Sequence, residues 1–150
     1  MSRLMKVKKL SPNGQIPTKA HGYEDAGWDL YASENVTVYP RSGYCDIPTA
    51  IAVELPSGVF GRITNRSCTN EEFGVDVKEA IIDNGYRGEL FIKVKLDLSM
   101  QEGTPRGKLI RKGDRIAQMT LHQILDIIPL EVAELSLSMR GTNGQGSTGR

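Results

Sequence analysis

The sequence predicts an all-β protein with a single domain, built as a sandwich or barrel of short strands. Apolar and polar residues alternate strictly from Glu89 to Leu98, which gives a half-buried strand. Shorter apolar runs recur along the chain, each bounded by Gly, Pro, Asn or Asp turn residues, and this spacing is typical of a sandwich or barrel. The length of 150 residues suits one hydrophobic core, so we expect one domain over residues 1–150.

The elements can be placed in chain order. We interpret the lysine cluster near the N-terminus as the solvated edge of a strand. Strands are then predicted, in order, at Val36 and Val38, at Ile51, Val53 and Leu55, at Val75 and Val77, from Glu89 to Leu98, and around Met119 and Leu121. One short helix is expected near Ser67 to Phe73, with Ser67 or Thr69 as the cap and two glutamates in its first turn.

Composition and charge exclude several classes of protein. Apolar residues make up 39% of the chain, and 19 basic residues balance 18 acidic ones, which is typical of a soluble folded protein without a nucleic-acid partner. No run approaches the roughly 20 apolar residues that cross a bilayer, and no secretory signal is seen, so we expect no membrane contact and a cytoplasmic location. Cys45 and Cys68 have no metal-binding spacing and are expected to be buried or incidental thiols.

The C-terminal segment differs in character from the rest. Residues 140–150 contain four glycines, two threonines, one serine and no apolar side chain. Read alone, this composition indicates a frayed terminus. We place the β core at about 1–136 and a flexible Gly-rich arm at 137–150.

Polar side chains also occur next to glycines, where exposed backbone N–H groups could hold an anion. Asp29, in Ala26–Ala32, is either a turn-side carboxylate or a group that holds Mg²⁺ directly or through water. Arg66 and Ser67 precede the expected helix and are either a surface arginine with a capping serine or a phosphate-binding pair.

Two further segments can also be interpreted either as structural or as ligand-binding. The sequence Asp83-Asn84-Gly85 is a strong tight-turn signal, so Ile81–Gly88 is predicted to form a hairpin. The turn requires neither an acid at Asp83 nor an aromatic at Tyr86. Asp83 could instead orient a water molecule as a base, and the Tyr86 ring could pack against a sugar. Gln118, in Lys112–Gln118, could donate an amide hydrogen bond.

Together, five segments in this order resemble the motifs of the trimeric dUTPase family. They are AGWDL, GRITNRS, IDNGYRG, GDRIAQ and RGTNGQGSTG, and they span about Ala26 to Gly149. The resemblance implies a β jelly-roll homotrimer that hydrolyses dUTP to dUMP and pyrophosphate by Mg²⁺-assisted, in-line attack of water on the α-phosphorus. It also implies three active sites at subunit interfaces, each closed by the C-terminal arm of one subunit.

The resemblance also assigns roles to residues of this chain. Asp29 would hold waters of Mg²⁺, and Asp83 would position and deprotonate the attacking water. Tyr86 would pack on the deoxyribose, and the backbone near Asn84 would pair with uracil. The phosphate-binding residues implied are Arg66, Ser67, Gln118, Arg140, Gly146, Ser147 and Thr148.

Gln145 is one departure from the family pattern, since an aromatic that stacks on uracil is common at that position. Either an aromatic from elsewhere covers the base, or Gln145 covers it less well. Two rival functions remain, namely a dCTP deaminase of the same superfamily and a non-catalytic dUTP-binding regulator. The predicted hairpin segment, Ile81–Gly88, contains no extra glutamate for deamination, and the retained polar residues favour catalysis.

Overall fold

The structure is a computed structural model that describes residues 3–97 and 106–144, without the side chain of Asn70. Its described part consists mainly of short strands. They are β1 (Lys6–Lys9), β2 (Gly27–Tyr31), β3 (Val36–Val38), β4 (Cys45–Glu54), β5 (Val59–Asn65), β6 (Val75–Val77), β7 (Ala80–Ile82), β8 (Glu89–Leu96), β9 (Lys108–Ile110) and β10 (Arg115–Gln123). A 3-10 helix covers Gly22–Glu24, and the helix α1 covers Thr69–Phe73.

The strands form two four-stranded antiparallel sheets and one two-stranded sheet. The first sheet has the order β1-β4-β8-β6 and the second the order β2-β10-β5-β7, while β3 pairs with β9. Strands distant in sequence therefore become neighbours in each sheet, as in a Greek-key or jelly-roll arrangement. The predicted all-β, jelly-roll-like fold is confirmed.

The core comes from the inward faces of these strands. On β8 the predicted alternation is confirmed, because Leu90, Ile92, Val94 and Leu96 are at most 1% exposed. Leu98, the last residue of the predicted strand, lies outside the described residues. The other large, fully buried side chains are Leu30, Val38, Ile47, Ile51, Ile63, Val75, Ile110, Ile116 and Met119.

The predicted hairpin at Ile81–Gly88 is wrong. A turn does form, with the Tyr86 N–H donating to the Asp83 carbonyl at 3.0 Å. However, β7 pairs with β5 in one sheet, whereas β8 pairs with β4 and β6 in the other. The turn therefore links the two sheets, since an Asp-Asn-Gly signal specifies a local chain reversal and not which strands pair on either side of it.

The short helix is confirmed, but the Thr69 hydroxyl, expected as a possible helix cap, bonds to residues outside the helix. Its hydroxyl accepts a hydrogen bond from the Arg66 N–H at 3.0 Å and donates to the Ile116 carbonyl at 3.0 Å. Thr69 is fully buried. It thus ties the start of the helix to β10 and fixes the backbone at Arg66.

Among the described residues, regular structure ends at Gln123, earlier than the predicted core boundary near residue 136. Residues 124–144 form no helix or strand. Large apolar side chains are exposed along them, for example Leu130 at 82% and Leu137 at 102%. The division into core and arm stays a prediction for the assembled protein. Within the described ranges, none of the helices has the length and apolar character needed to span a bilayer.

Ala50 has a left-handed backbone, with φ of 52°, inside β4. Both of its backbone groups are bonded, the N–H to Glu89 Oε1 at 2.8 Å and the carbonyl to the Leu10 N–H at 2.8 Å. Ala50→Gly should therefore raise the free energy of unfolding by about 0.5–1 kcal/mol, because glycine accepts this conformation without the steric cost. Urea denaturation at a fixed protein concentration measures the change.

Ala52→Gly is the matched control for this prediction. Ala52 is buried in the same strand, and its φ is not positive, so the substitution should lower the free energy of unfolding by roughly 0.5–1 kcal/mol. If both substitutions destabilised the protein equally, the backbone strain assigned to Ala50 would be refuted.

Candidate functional site

Three neighbouring strands bring the first group of predicted site residues together. In the second sheet β10 lies between β2 and β5, so that Gln118 is opposite Asp29 on one side and Thr64 on the other. Arg66 and Ser67 follow directly where β5 ends. Asp29, Arg66, Ser67 and Gln118 line a cavity of about 240 Å³, called here the Arg66 cavity.

Arg66 is held in this cavity by an ion pair and a hydrogen bond. Its Nε lies 2.8 Å from Asp29 Oδ1, and one terminal nitrogen donates to the Arg115 carbonyl at 3.0 Å. The side chains of Arg66 and Asp29 are only 16% and 13% exposed. Because the pair is partly desolvated, its geometry is well defined and the guanidinium edge is presented to a ligand in a fixed orientation.

Arg115 provides a second cation at the same carboxylate. Its guanidinium lies 3.4 Å from Asp29 Oδ2, and its side chain is 48% exposed. The sequence analysis did not select Arg115, although it belongs to the GDRIAQ segment. Its position opposite Tyr31 at the bulge in the β10–β2 pairing brings it beside Asp29, and sequence alone does not reveal that bulge.

Gln118 is positioned by Gly27. A Cβ at Gly27 would overlap the Gln118 side chain, so only glycine allows this close approach. The Gln118 amide nitrogen donates to the Asn65 carbonyl at 2.9 Å, next to Arg66. Its amide group therefore lies at the base of the Arg66 cavity.

His21 and Asp25 complete the rim of the Arg66 cavity, and the sequence analysis selected neither. The His21 N–H donates to Asp25 Oδ2 at 2.7 Å, and this bond, with the one from the imidazole, lowers the pKa of the Asp25 carboxyl. The cavity thus combines carboxylates and an imidazole with the Arg66 guanidinium, an arrangement that suits an anion with a bound cation.

The second group of predicted site residues lies in a separate cavity. Asp83 and Tyr86, from the turn between β7 and β8, line a cavity of about 230 Å³ together with Phe91 and the ion pair of Asp46 with Lys93. We call it the Asp83 cavity. Asp83 is exposed on the turn and is thus accessible to water.

Side chains hold the Asp83–Tyr86 turn in place. The Asn84 amide donates to the carbonyls of Pro56 and Val59 at 2.7 and 2.8 Å, and an Arg87 guanidinium nitrogen donates to the carbonyls of Asn84 and Tyr86 at 2.7 and 3.0 Å. The Asn84 side-chain nitrogen is therefore engaged by protein, as is the Asn84 carbonyl.

Tyr86 lies flat across Gly88. A Cβ at Gly88 would overlap the Tyr86 ring and hydroxyl, and the hydroxyl donates to the Glu89 carbonyl at 2.9 Å. The residue as a whole is 42% exposed. Tyr86 thus presents one fixed face to the cavity.

The two cavities lie at opposite ends of β5. Asn84 contacts Val59 at the start of the strand, whereas Arg66 follows its end. At about 3.3 Å per residue, the two ends are roughly 20 Å apart. A general base must come within roughly 3 Å of its proton, directly or through one water. Asp83 and Arg66 of one chain therefore do not meet around one phosphate group.

Arg140 belongs to neither cavity in the single chain. Its guanidinium donates to the carbonyls of Asn143 at 2.9 Å and Gly144 at 3.4 Å, so that residues 140–144 fold around it. The other predicted arm residues, Gln145, Gly146, Ser147 and Thr148, lie outside the described residues.

Comparison with known proteins is consistent across sequence and structure. The dUTPase family model matches residues 13–149. A deoxyuridine 5'-triphosphate nucleotidohydrolase of Paramecium bursaria Chlorella virus 1 is 40% identical over 150 residues, covering 99% of each chain. The homologous enzyme of Saccharomyces cerevisiae is 36% identical, covering 98% of this chain and 95% of the relative.

Solved structures agree with these matches. The dUTPase of Staphylococcus bacteriophage 80alpha with dUPNHPP has a TM-score of 0.86 at 30% identity, covering 99% of this chain and 100% of that one. A point mutant of the dUTPase from phage phi11 of S. aureus, described for its coordination of a structural Mg(II) ion, has a TM-score of 0.75 at 26% identity, with coverage of 87% and 97%.

Proposed function

The chain belongs to the dUTPase family and hydrolyses dUTP to dUMP and pyrophosphate, and we propose that it does so at sites shared between the subunits of a homotrimer. One observation carries the proposal, namely the separation of the Arg66 cavity from the Asp83 cavity by the length of β5. Phosphate binding and water activation need both groups at one nucleotide. Two subunits that place the Arg66 cavity of one against the Asp83 cavity of the other satisfy this requirement.

Exposed apolar surface supports the trimer. Residues 124–139 include several large apolar side chains that are more than 70% exposed, among them Ile127, Ile128 and Leu135. An apolar cavity of about 630 Å³, bordered by Leu4, Trp28 and Leu121, is also open on the same chain. Apolar patches of this extent are characteristic of association surfaces. We propose that this segment of one subunit packs on another and carries the residues after it to a third subunit's site.

In the assembled site, Arg66, Ser67 and Gln118 would bind phosphate oxygens. Arg66 is already aligned by Asp29, and a guanidinium binds phosphate through two parallel hydrogen bonds. Arg140 with Gly146, Ser147 and Thr148 of the arm would close on the β- and γ-phosphates, and Gln145 would lie near the base. Closure of the arm would exclude water other than the nucleophile.

Asp83 would carry the chemical step. Its carboxylate accepts a proton from a water molecule while the water oxygen bonds to the α-phosphorus. The bond from the α-phosphorus to the α–β bridging oxygen breaks in line, and pyrophosphate leaves with that oxygen. Positioning of water and stabilisation of the phosphate charges by Arg66 and Gln118 supply most of the rate acceleration in this type of transfer.

Tyr86 and the turn backbone would select the nucleoside. Tyr86 packs on the deoxyribose, where its fixed ring leaves no room for a 2′-hydroxyl. The backbone near Asn84 pairs with uracil and crowds a 5-methyl group. At about 230 Å³, the Asp83 cavity is smaller than the roughly 300–1,000 Å³ of pockets for drug-sized ligands, which fits a nucleoside better than a whole triphosphate.

Asp29 fits a role in holding Mg²⁺ through water. Among residues 3–97 and 106–144, no three His, Cys, Asp or Glu side chains are close enough to form a protein metal cage. Mg²⁺ is usually held by one or two carboxylates, substrate phosphates and retained waters, and Asp29 supplies such a carboxylate beside the proposed phosphate site. When bound there, the ion would neutralise charge on the triphosphate and its leaving group.

The free thiols of Cys45 and Cys68 support the further proposal of a cytosolic location, where cysteines stay reduced.

A steady-state comparison of dUTP, dTTP, dCTP and UTP, with Mg²⁺ present, tests the proposed function. We expect pyrophosphate release from dUTP alone at an appreciable rate. Ammonia release from dCTP would instead identify a deaminase, and dUTP binding without hydrolysis would identify a regulator. Sedimentation or light scattering of the same sample should give the mass of a trimer; an active monomer would refute the shared site.

A further inference from the structure

Phe91 is an aromatic residue on the outward face of β8 that folding does not explain. Its neighbours Leu90 and Ile92 are fully buried in the core, whereas Phe91 is 42% exposed. Within the described ranges, the Phe91 ring stacks on no other ring and no cation lies over it. Its exposed face is therefore available to a ligand.

Phe91 lies in the same cavity as Asp83 and Tyr86. The Tyr86 ring is already committed, because its hydroxyl bonds to the Glu89 carbonyl and its ring lies across Gly88. Asp46 and Lys93, which line the same cavity, pair with each other at 2.6 Å. The exposed face of Phe91 thus supplies apolar ring surface in the cavity, which suits the face of a flat heterocycle.

The C-terminal part of the chain, after Phe91, offers no Phe, Tyr or Trp to cover the base. Residues 92–150 contain no Phe, Tyr or Trp, so neither β9 nor the C-terminal arm supplies such a ring. The imidazole of His122 on β10 is already stacked on Phe60, with 5.2 Å between the ring centroids. A base in the Asp83 cavity therefore has two aromatic side chains within that cavity, and Tyr86 is engaged with the sugar in the proposed function.

We propose that Phe91 stacks on the pyrimidine ring of the bound nucleotide and provides the base cover that the arm of this chain lacks. This inference rests on the proposed function of the Asp83 cavity. Stacking depends on the π-face of the base, which all pyrimidines share, so Phe91 contributes affinity while the turn backbone discriminates between bases.

Replacement of Phe91 tests the proposal. Phe91→Ala should raise the KM for dUTP and the inhibition constant of dUMP by about tenfold, whereas kcat should change little. The ratio of kcat/KM for dUTP to that for dTTP should stay the same. Phe91→Trp should retain a KM near that of the unchanged protein, and Phe91→Leu should fall between the two, because leucine keeps the apolar surface without the π-face.

Leu109→Ala is the matched control. Leu109 on β9 is 38% exposed, similar to Phe91, and it lines neither the Arg66 cavity nor the Asp83 cavity. This variant should keep the KM of the unchanged protein. If Phe91→Ala and Leu109→Ala gave the same KM, the stacking role would be refuted.

A fluorescence titration with dUMP provides a readout that does not require turnover. Addition of dUMP should quench the fluorescence of Phe91→Trp in a saturable manner, beyond any change in the unchanged protein with Trp28 alone. Leu109→Trp should show no such additional quenching. Failure of the unchanged protein to hydrolyse dUTP would refute the proposed function, whereas normal turnover without quenching in Phe91→Trp would refute only the stacking.

Discussion

Asp83→Asn is expected to reduce kcat for dUTP by about a thousandfold, in the range typical of removing a general base. The amide has nearly the shape of the carboxylate but does not accept the proton of the attacking water. Asp83 is exposed on the turn, and the turn is held by hydrogen bonds that the Asn84 and Arg87 side chains donate to backbone carbonyls. The substitution should therefore leave the cavity intact. The Kd for dUTP should therefore stay nearly unchanged, as measured by calorimetry on the slow variant.

Glu34→Gln is a control for the loss of one negative charge. Glu34 is exposed and lies outside both cavities, so this variant should turn over dUTP at the normal rate. Substantial activity in Asp83→Asn would show that another group accepts the proton. A large loss of dUTP affinity would instead assign Asp83 to binding.

A chain that ends at Met139 is expected to lose at least about a hundredfold in kcat/KM for dUTP and to remain a trimer. It lacks Arg140 and the glycine-rich residues after it, which donate to phosphate charges in the proposed closed site, and each such donor contributes about 10²–10³ to the rate. Residues 124–139, with their exposed apolar side chains, are still present to hold the subunits together. Steady-state kinetics and light scattering measure the two properties.

A chain that ends at Gln123 distinguishes the residues that close the active site from those that hold the trimer together. It keeps all ten described strands but loses the exposed apolar segment, so it should lose the trimer as well as the activity. If the chain ending at Met139 retained full activity, the arm would have no closing role. If the chain ending at Gln123 remained a trimer, the contacts of residues 124–139 would not be needed for assembly.

The local alternation of apolar and polar residues was sufficient to predict several of the strands. The side chains of a strand alternate between two faces, so the buried residues of β8 follow directly from the sequence between Glu89 and Leu96. The same reasoning located β3, β4, β6 and β10. It did not locate β2, β5 or β9, and in β9 the three residues from Lys108 to Ile110 are too few to show a period.

Turn chemistry was less informative about pairing. Asp83-Asn84-Gly85 correctly predicted a chain reversal, but the hairpin drawn from it was wrong, because β7 and β8 belong to different sheets. The partner of β7 is β5, about 20 residues earlier in the chain. Such a pairing depends on the burial of both sheets against each other, and a short window of sequence carries no record of it.

The sequence by itself determined which side chains are available for chemistry, because acid, guanidinium, amide and aromatic groups stand beside glycines in a recognisable order. It also determined that no Phe, Tyr or Trp follows Phe91. Only the tertiary structure placed Asp29, Arg66 and Gln118 together on three adjacent strands, brought Arg115 to the same carboxylate, and put Asp83 with Phe91 in another cavity. The physical reason is that the chemical character of a side chain is a property of the single residue. The distance between two side chains depends on which strands pair, and strand pairing is decided by the burial of the whole core.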